Sequence, residues 1–212
     1  MASPITIQEL DISSETHSTY TVQINTNAIH TTVTSTPSVV DSFINELLYT
    51  HRSSLNRLVI GLDVEWRPSF NRNIENHVAT LQLCVGHKCL IFQFLYMPHV
   101  PQSLINFLNN PMYKFVGVGI QEDVEKLLLD YNLGVANILD LRSLAMGKGF
   151  GHLRNSGLKD LAREIVGLVI EKPKRITMSR WDYEWLSYEQ ISYACVDAFV
   201  SFAIGNRLIW EI

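Results

Sequence analysis

The sequence predicts an α/β fold in which a mixed central β-sheet is flanked by helices. Strand-like runs dominate the first part of the chain, and helical patterns interleave with them and then take over toward the C-terminus. The composition agrees, because 47% of the 212 residues are hydrophobic, which is enough for a full core. We expect one domain over residues 1–212, with an N-terminal hairpin and helix at 1–54 and a core at 55–210.

The N-terminal elements follow from turn residues and hydrophobic spacing. Residues 19–24 and 28–34 are β-rich runs on either side of an Asn-Thr-Asn turn at 25–27, a pattern typical of a hairpin. A Thr-Pro pair then forms a typical helix start, with proline at the first helical position. Apolar residues recur at helical spacing behind it, so the sequence predicts an amphipathic helix over 37–50.

The central elements are three apolar strands followed by a helix, a strand and a second helix. Their ranges are 58–66, 78–85, 89–94, 101–109, 114–119 and 122–132. The remainder of the chain indicates helices only. A short amphipathic helix covers 157–166, and Ser187 with Gln190 forms a capping box that opens a long helix ending near Trp210.

The composition excludes several classes of protein. No apolar run approaches the roughly 18 residues that a membrane span needs, and residues 1–30 lack a basic segment followed by an apolar one. We therefore expect a soluble protein that no signal peptide exports and that has no membrane partner. The three cysteines, an odd number without CxxC spacing, are expected to be reduced thiols of an intracellular protein rather than zinc ligands.

Charge is distributed unevenly along the chain, although the formal net charge is only −4. Residues 1–51 contain five acids and no Lys or Arg, whereas residues 142–180 contain nine bases and three acids. The basic stretch would attract a polyanion, and a solvated basic loop is the alternative. Charged residues make up 18% of the chain, which indicates either a surface covered by other subunits or a neutral polar surface.

Two carboxylates at the end of an apolar strand form the sharpest local feature. Side chains alternate along a strand, so Asp63 and Glu65 lie on one side, while Leu62, Val64 and Trp66 lie on the other. Two like charges repel each other and are costly to desolvate, and a divalent cation between them would remove that cost. An exposed strand end or an arginine partner would explain the pair equally well.

Two further positions carry acids in a suggestive context. Asp123 follows the strand at 114–119 within the first helical turn, where α/β folds place ligands, although helix N-termini favour acids in any case. Tyr193 and Asp197 are four residues apart on the long helix and therefore share one face. The rest of that helix is mostly apolar, so an unpaired Asp197 would be destabilising there.

Taken together, the order of these residues resembles the DEDDy branch of the DnaQ-like 3′-5′ exonucleases, and within it the Werner-syndrome-type exonuclease domain. Those enzymes carry DxE on an early strand, Asp after a strand that ends in GxG, and YxxxD on a late helix. The resemblance covers roughly residues 55–210. The stretches that carry it are GLDVEWRPSF (61–70), LQLCVGHKCLIFQF (81–94), FVGVGIQEDVEKL (115–127), GLKDLA (157–162) and LSYEQISYACVDAF (186–199).

The resemblance implies an RNase H-like fold and a two-metal mechanism. Asp63, Glu65, Asp123 and Asp197 would hold two Mg²⁺ or Mn²⁺ ions, which suit hard oxygen ligands. One ion, on Asp63, Glu65 and Asp197, would activate the attacking water, and the other, mainly on Asp63, would stabilise the leaving 3′ oxygen. Tyr193 would orient or help to deprotonate that water.

Two more residues are candidates for substrate binding. Trp66 would stack near the terminal base, unless it is simply a core aromatic at a strand end. Arg180, which with Trp181 precedes the tyrosine helix, would hold a phosphate.

The short chain and its N-terminal run ITIQELDISSETHSTYTV are similar to a plant subgroup of this family. Its members are stand-alone exoribonucleases that associate with Argonaute in the RNA-induced silencing complex (RISC) and assemble as homohexamers. This resemblance implies single-stranded RNA as the substrate and a cytoplasmic enzyme. The basic run 172–175 could act as a nuclear signal, so the nucleus is the alternative location. DNA as the substrate, or a non-catalytic nucleic-acid-binding scaffold, are the alternatives.

Overall fold

The computed structural model describes residues 4–10, 14–69, 71 and 75–212. Within these residues, eight strands form one mixed sheet in the spatial order β1-β2-β3-β6-β5-β4-β7-β8. The strands are β1 (Ile5–Glu9), β2 (His17–Ile24), β3 (Asn27–Thr34), β4 (Val59–Glu65), β5 (Thr80–Val85), β6 (Lys88–Gln93), β7 (Lys114–Gly117) and β8 (Ile138–Asp140). Pairing is parallel at β3–β6, β4–β7 and β7–β8 and antiparallel elsewhere. The predicted mixed sheet is confirmed.

Helices cover both faces of the sheet. They are α1 (Pro37–Thr50), α2 (Gln102–Leu108), α3 (Ile120–Tyr131), α4 (Leu141–Gly147), α5 (Leu158–Leu161), α6 (Lys174–Thr177) and α7 (Tyr188–Trp210). The apolar sides of α1, α2 and α3 pack in one core, and those of α4, α5 and α7 pack in a second core on the opposite face. None of the helices in the described residues combines the length and the apolar character that a membrane crossing requires.

Most predicted elements are confirmed, with shifted ends. The hairpin turns at Asn25, whose φ of 51° is left-handed, and its first strand begins at His17, earlier than predicted. The short helix predicted over 157–166 is α5, which continues as a π-helical turn over Ala162–Val166. The prediction that residues beyond 132 form only helices is wrong, because β8 adds an edge strand there. Strand β1, at the opposite edge, was not predicted at all.

Helix α7 begins at a capping box and packs closely against the sheet at two glycines. Its capping box is present, since the Ser187 hydroxyl accepts from the backbone N–H of Gln190 and the Gln190 side chain accepts from that of Ser187. A methyl group on Gly61 of β4 would lie 1.9 Å from the carbonyl oxygen of Ala198, and one on Gly205 would lie 2.7 Å from Val116 of β7. The helix backbone therefore touches the centre of the sheet.

The three cysteines meet beneath the same helix. Cys84 and Cys89 face each other across the β5–β6 hairpin, and Cys195 of α7 accepts a hydrogen bond of 3.1 Å from the Thr31 hydroxyl. All three are buried free thiols, as predicted. Burial raises the pKa of the Cys84 and Cys195 thiols, so they stay protonated and pack as small apolar groups.

Candidate metal centre

Three carboxylates converge where β4 ends beside α7. One oxygen each of Asp63, Glu65 and Asp197 lies within 4.8 Å of the other two. Alternation along β4 turns Asp63 and Glu65 toward α7, while Leu62 and Val64 enter the opposite core, as the sequence predicts. Asp197 is 2% exposed, and it reaches the strand because the neighbouring Ala198 rests directly on Gly61.

The sequence contained an unused signal for this close approach. An isolated glycine inside a strand marks a place where another backbone comes near. Gly61 is such a glycine, two positions before Asp63 in β4. Its missing side chain is what brings α7 close enough for Asp197 to join the strand carboxylates.

The clustered carboxylates hold their protons unusually tightly. Burial raises the pKa of Asp63 well above its usual range, and the charges of Asp197 and Asp123 raise it further. Burial likewise raises the pKa of Glu65, with Asp63 and Asp197 adding to the effect. Ionising these buried carboxylates is costly because they repel one another. A divalent cation among their oxygens would lower that cost.

Asp123 lies beside this cluster rather than in it. It sits in the first turn of α3, which begins directly after β7 through Gly119, a residue with φ of 74°. The Gly119 N–H donates to Asp140 at 2.7 Å, which fixes the start of that helix. Burial and then the charge of Glu122 raise the pKa of Asp123 to about 7. Its role as a metal ligand stays a prediction.

Tyr193 projects from α7 one turn before Asp197 and is buried. Burial, followed by the charges of Asp197 and Glu65, raises the pKa of its phenol far above the ordinary value. The hydroxyl is therefore neutral at physiological pH. Of the two roles implied for Tyr193, this electrostatic setting favours orienting a water over removing its proton as a phenolate. The aromatic ring of Trp181, itself buried, packs against Tyr193 at 6.1 Å between centroids.

Lys172 also lies at the site, although no pattern in the sequence indicates it. Its Nζ lies 2.6 Å from Oδ2 of Asp197 and 5.3 Å from the centre of the Tyr193 ring. The sequence offered no signal for this contact, because the lysine stood in a basic run in a segment without helix or strand.

The two candidates for substrate binding each have contacts with other residues. Trp66 is half-buried against the β4 core, and Lys126 of α3 lies over its ring at 5.3 Å. Arg180 is bound to Asp182 by contacts of 2.8 and 2.9 Å and lies over the ring of Tyr183. Both substrate roles stay predictions.

The donor set fits a hard divalent cation. It consists of carboxylate oxygens, the ligands that Mg²⁺ and Mn²⁺ prefer, and thiols and imidazoles are absent from this cluster of described residues. Oδ2 of Asp197 is buried and is paired with the Lys172 ammonium, so this oxygen already binds a positive charge. Asp63 and Glu65 remain partly exposed, so a cation held by them would be within reach of water and substrate.

The raised pKa values predict that the stability of the metal-free fold and the affinity for metal change in opposite directions with pH. Because the pKa of Asp123 is about 7 against an ordinary 3.8, the metal-free folded protein holds protons that the unfolded chain releases. Its stability should therefore fall as pH rises from about 4 to about 7. Metal affinity should rise over the same range, because cations bind the deprotonated carboxylates. Melting temperatures in EDTA and in Mg²⁺ across this range would measure both, and parallel curves would contradict the assignment.

Comparison with known proteins agrees with this geometry. Residues 31–212 match the family model of a 3′-5′ exonuclease. A 3′-5′ exonuclease of Arabidopsis thaliana is 34% identical over 77% of this chain and 57% of its own length. The bifunctional 3′-5′ exonuclease/ATP-dependent helicase WRN of Mus musculus is 33% identical over 71% of this chain and 11% of its own. The chain thus spans only part of the length of these relatives.

Solved structures share the architecture. The EXD2 exonuclease domain soaked in Mn has a TM-score of 0.50 and 29% identity, over 82% of this chain and 86% of that chain. RNase D of Escherichia coli, an exoribonuclease involved in structured RNA processing, has a TM-score of 0.69 and 19% identity, over 84% of this chain and 44% of that chain. The RNase H-like fold that the sequence motifs implied is confirmed.

Proposed function

Because the chain belongs to the 3′-5′ exonuclease family, we propose that it removes nucleotides one by one from the 3′ end of single-stranded RNA. The products are nucleoside 5′-monophosphates. The observation that carries this proposal is the convergence of Asp63, Glu65 and Asp197 within 4.8 Å, with Tyr193 one helical turn away. A family member that had lost the reaction is expected to have lost at least one of these groups.

Each residue of the site has a distinct task in hydrolysis of the terminal phosphodiester. The carboxylates of Asp63, Glu65 and Asp197 bind the cations, and Asp123 takes part from the start of α3. When bound, two divalent ions would activate the attacking water and stabilise the leaving 3′ oxygen. The neutral Tyr193 hydroxyl orients the attacking water toward the phosphorus.

The surroundings of the site suit a single strand. A groove of about 290 Å³ adjoins Tyr193 and Asp197, and its apolar wall includes Ile5 and Ile7 of β1. Trp66 lines a second groove together with Arg67 and Lys126. We assign stacking of the terminal base to Trp66 and contact with a more distant phosphate to Arg180.

The preference for RNA rests on the likeness of the N-terminal run to plant exoribonucleases. The rival substrate is DNA, which the likeness to the Werner-type domain favours. The distinguishing group is the 2′-hydroxyl, which only RNA offers.

The test uses 5′-labelled single-stranded RNA and DNA of the same sequence, each with Mg²⁺ or with EDTA. We expect a ladder that shortens from the 3′ end, disappears in EDTA and forms faster on RNA. A faster ladder on DNA would replace RNA by the Werner-like alternative. Absence of any ladder, with Mn²⁺ also tried, would favour the non-catalytic scaffold.

The same plant likeness supports three further proposals: association with Argonaute and other RISC components, assembly as a homohexamer, and a cytoplasmic location with the nucleus as the alternative. Exposed aromatic side chains such as Trp185, 81% exposed, and Tyr49, 68% exposed, agree with a surface that other subunits cover. The molar mass in solution, measured by light scattering, tests the assembly, and a monomeric mass would reject it.

A further inference from the structure

The cation closest to the carboxylate cluster is an amino group of the chain itself. Lys172 Nζ lies 2.6 Å from Oδ2 of Asp197, an oxygen that takes no directed hydrogen bond from the rest of the described chain. The carboxylates of Asp63 and Glu65 also lie close enough to attract this ammonium. Several carboxylates therefore attract its positive charge at once.

We propose that Lys172 is the resident counter-ion of the cluster, which neutralises Asp197 when no divalent cation is bound and must be displaced when one binds. This rests on the proposed function, because only a metal-dependent enzyme loads a cation there. The Lys172 ammonium and the divalent cation both bind the carboxylate of Asp197. Two positive charges that share one buried carboxylate repel each other strongly, since little water lies between them to screen the repulsion.

The chain around Lys172 allows the side chain to leave while the backbone stays in place. The preceding Glu171 is anchored by Lys159 at 3.0 Å, and the following Pro173 caps α6. The Lys172 side chain itself is 35% exposed, and both of its neighbours line the groove that opens beside Asp197. Its flexible stem can therefore carry the ammonium from the carboxylate into that groove.

The exchange of one cation for another has two consequences. Without metal, the lysine limits the repulsion among the carboxylates and keeps the site assembled. With metal, part of the binding free energy is spent on displacing the lysine, so the affinity is lower than that of the bare carboxylates. Lys172 thereby sets the metal concentration at which the enzyme becomes active.

The test is a calorimetric titration of Mn²⁺ into the metal-free protein at a pH well above 7. Lys172→Met keeps most of the length and the flexibility of the side chain and removes its charge. We expect Lys172→Met to bind Mn²⁺ at least about tenfold more tightly than the unchanged protein. Its melting temperature in EDTA should be lower, and saturating Mn²⁺ should produce a larger increase than in the unchanged protein.

Lys174→Met is the matched control, because Lys174 has no ion pair among the described residues, and it should bind Mn²⁺ like the unchanged protein. Equal or weaker Mn²⁺ binding by Lys172→Met would overturn the proposal. If that variant does not fold in EDTA, it is purified with Mn²⁺, and competition with a chelator gives the same affinity. If the unchanged protein binds Mn²⁺ but cleaves nothing, the proposed function fails separately; if it binds no Mn²⁺, both fail.

Discussion

Replacing Asp63 by Asn is expected to abolish nucleotide release and, at the same time, to stabilise the metal-free protein. Asp63 forms the carboxylate cluster with Glu65 and Asp197, and the family resemblance assigns it to both cations. Residues that merely orient metal ligands cost about 10–100-fold when changed, so loss of a ligand should reduce the rate by more than about 100-fold. Release of 5′-monophosphates from labelled RNA in Mg²⁺ measures this effect.

The gain in stability has the same cause as the loss of activity. Burial and neighbouring charges raise the pKa of Asp63, so its carboxylate opposes folding when it is ionised. Asn removes that charge at almost the same size, so urea unfolding in EDTA above pH 7 should show a higher free energy of unfolding than for the unchanged protein.

Asp160→Asn is the control for Asp63→Asn, because Asp160 is an exposed partner of Arg163 on the surface. It should change neither quantity measurably. A fully active Asp63→Asn protein would remove Asp63 from the metal site, and a destabilised one would show that its charge is compensated in the folded chain.

Replacing Gly61 by Ala is expected to destabilise the fold more than any surface change and to open the metal site. The added methyl group would lie 1.9 Å from the Ala198 carbonyl oxygen and 2.6 Å from the Phe202 nitrogen. Both are backbone atoms of α7, so no side-chain rotation relieves the clash. We expect a loss of about 3 kcal/mol or more, at the upper end of the cost of overpacking.

The displacement of α7 adds a functional effect to the loss of stability. Asp197 moves away with the helix, so Mn²⁺ affinity should fall together with the free energy of unfolding. Gly151→Ala is the control, because nothing lies within 4 Å of its added methyl group. A Gly61→Ala protein within about 1 kcal/mol of the original, with unchanged Mn²⁺ binding, would contradict the close packing described above.

Local patterns in the sequence were sufficient for the buried parts of the fold. Alternation in β4 gave the direction of Asp63 and Glu65, and the capping box gave the start of α7. The edge strands escaped for a physical reason: most of β1 is exposed, so no core face imposes an alternation, and β8 has only three residues. Short strands at an edge owe their conformation to their neighbour rather than to their own sequence.

The same distinction applies to the site. The acidic residues were visible because each stands at a recognisable end of a strand or on a helix face. The contact of Lys172 with Asp197 joins a segment without regular structure to a distant helix, and neither residue marks the other in sequence. The sequence predicts a phosphate contact for Arg180 and gives no sign that Asp182, two residues later, forms an ion pair with it. Ion pairs of this kind depend on side-chain geometry that spacing alone does not describe.

The buried thiols beneath α7 bear on chemical modification experiments. A reagent reaches Cys84, Cys89 or Cys195 only when this helix lifts from the sheet, and the same helix carries Tyr193 and Asp197. Inactivation by a thiol reagent would therefore report the opening of the helix rather than a cysteine in the reaction. The rate of such labelling would measure how often the helix separates from the sheet, and a bound cation would lower that rate.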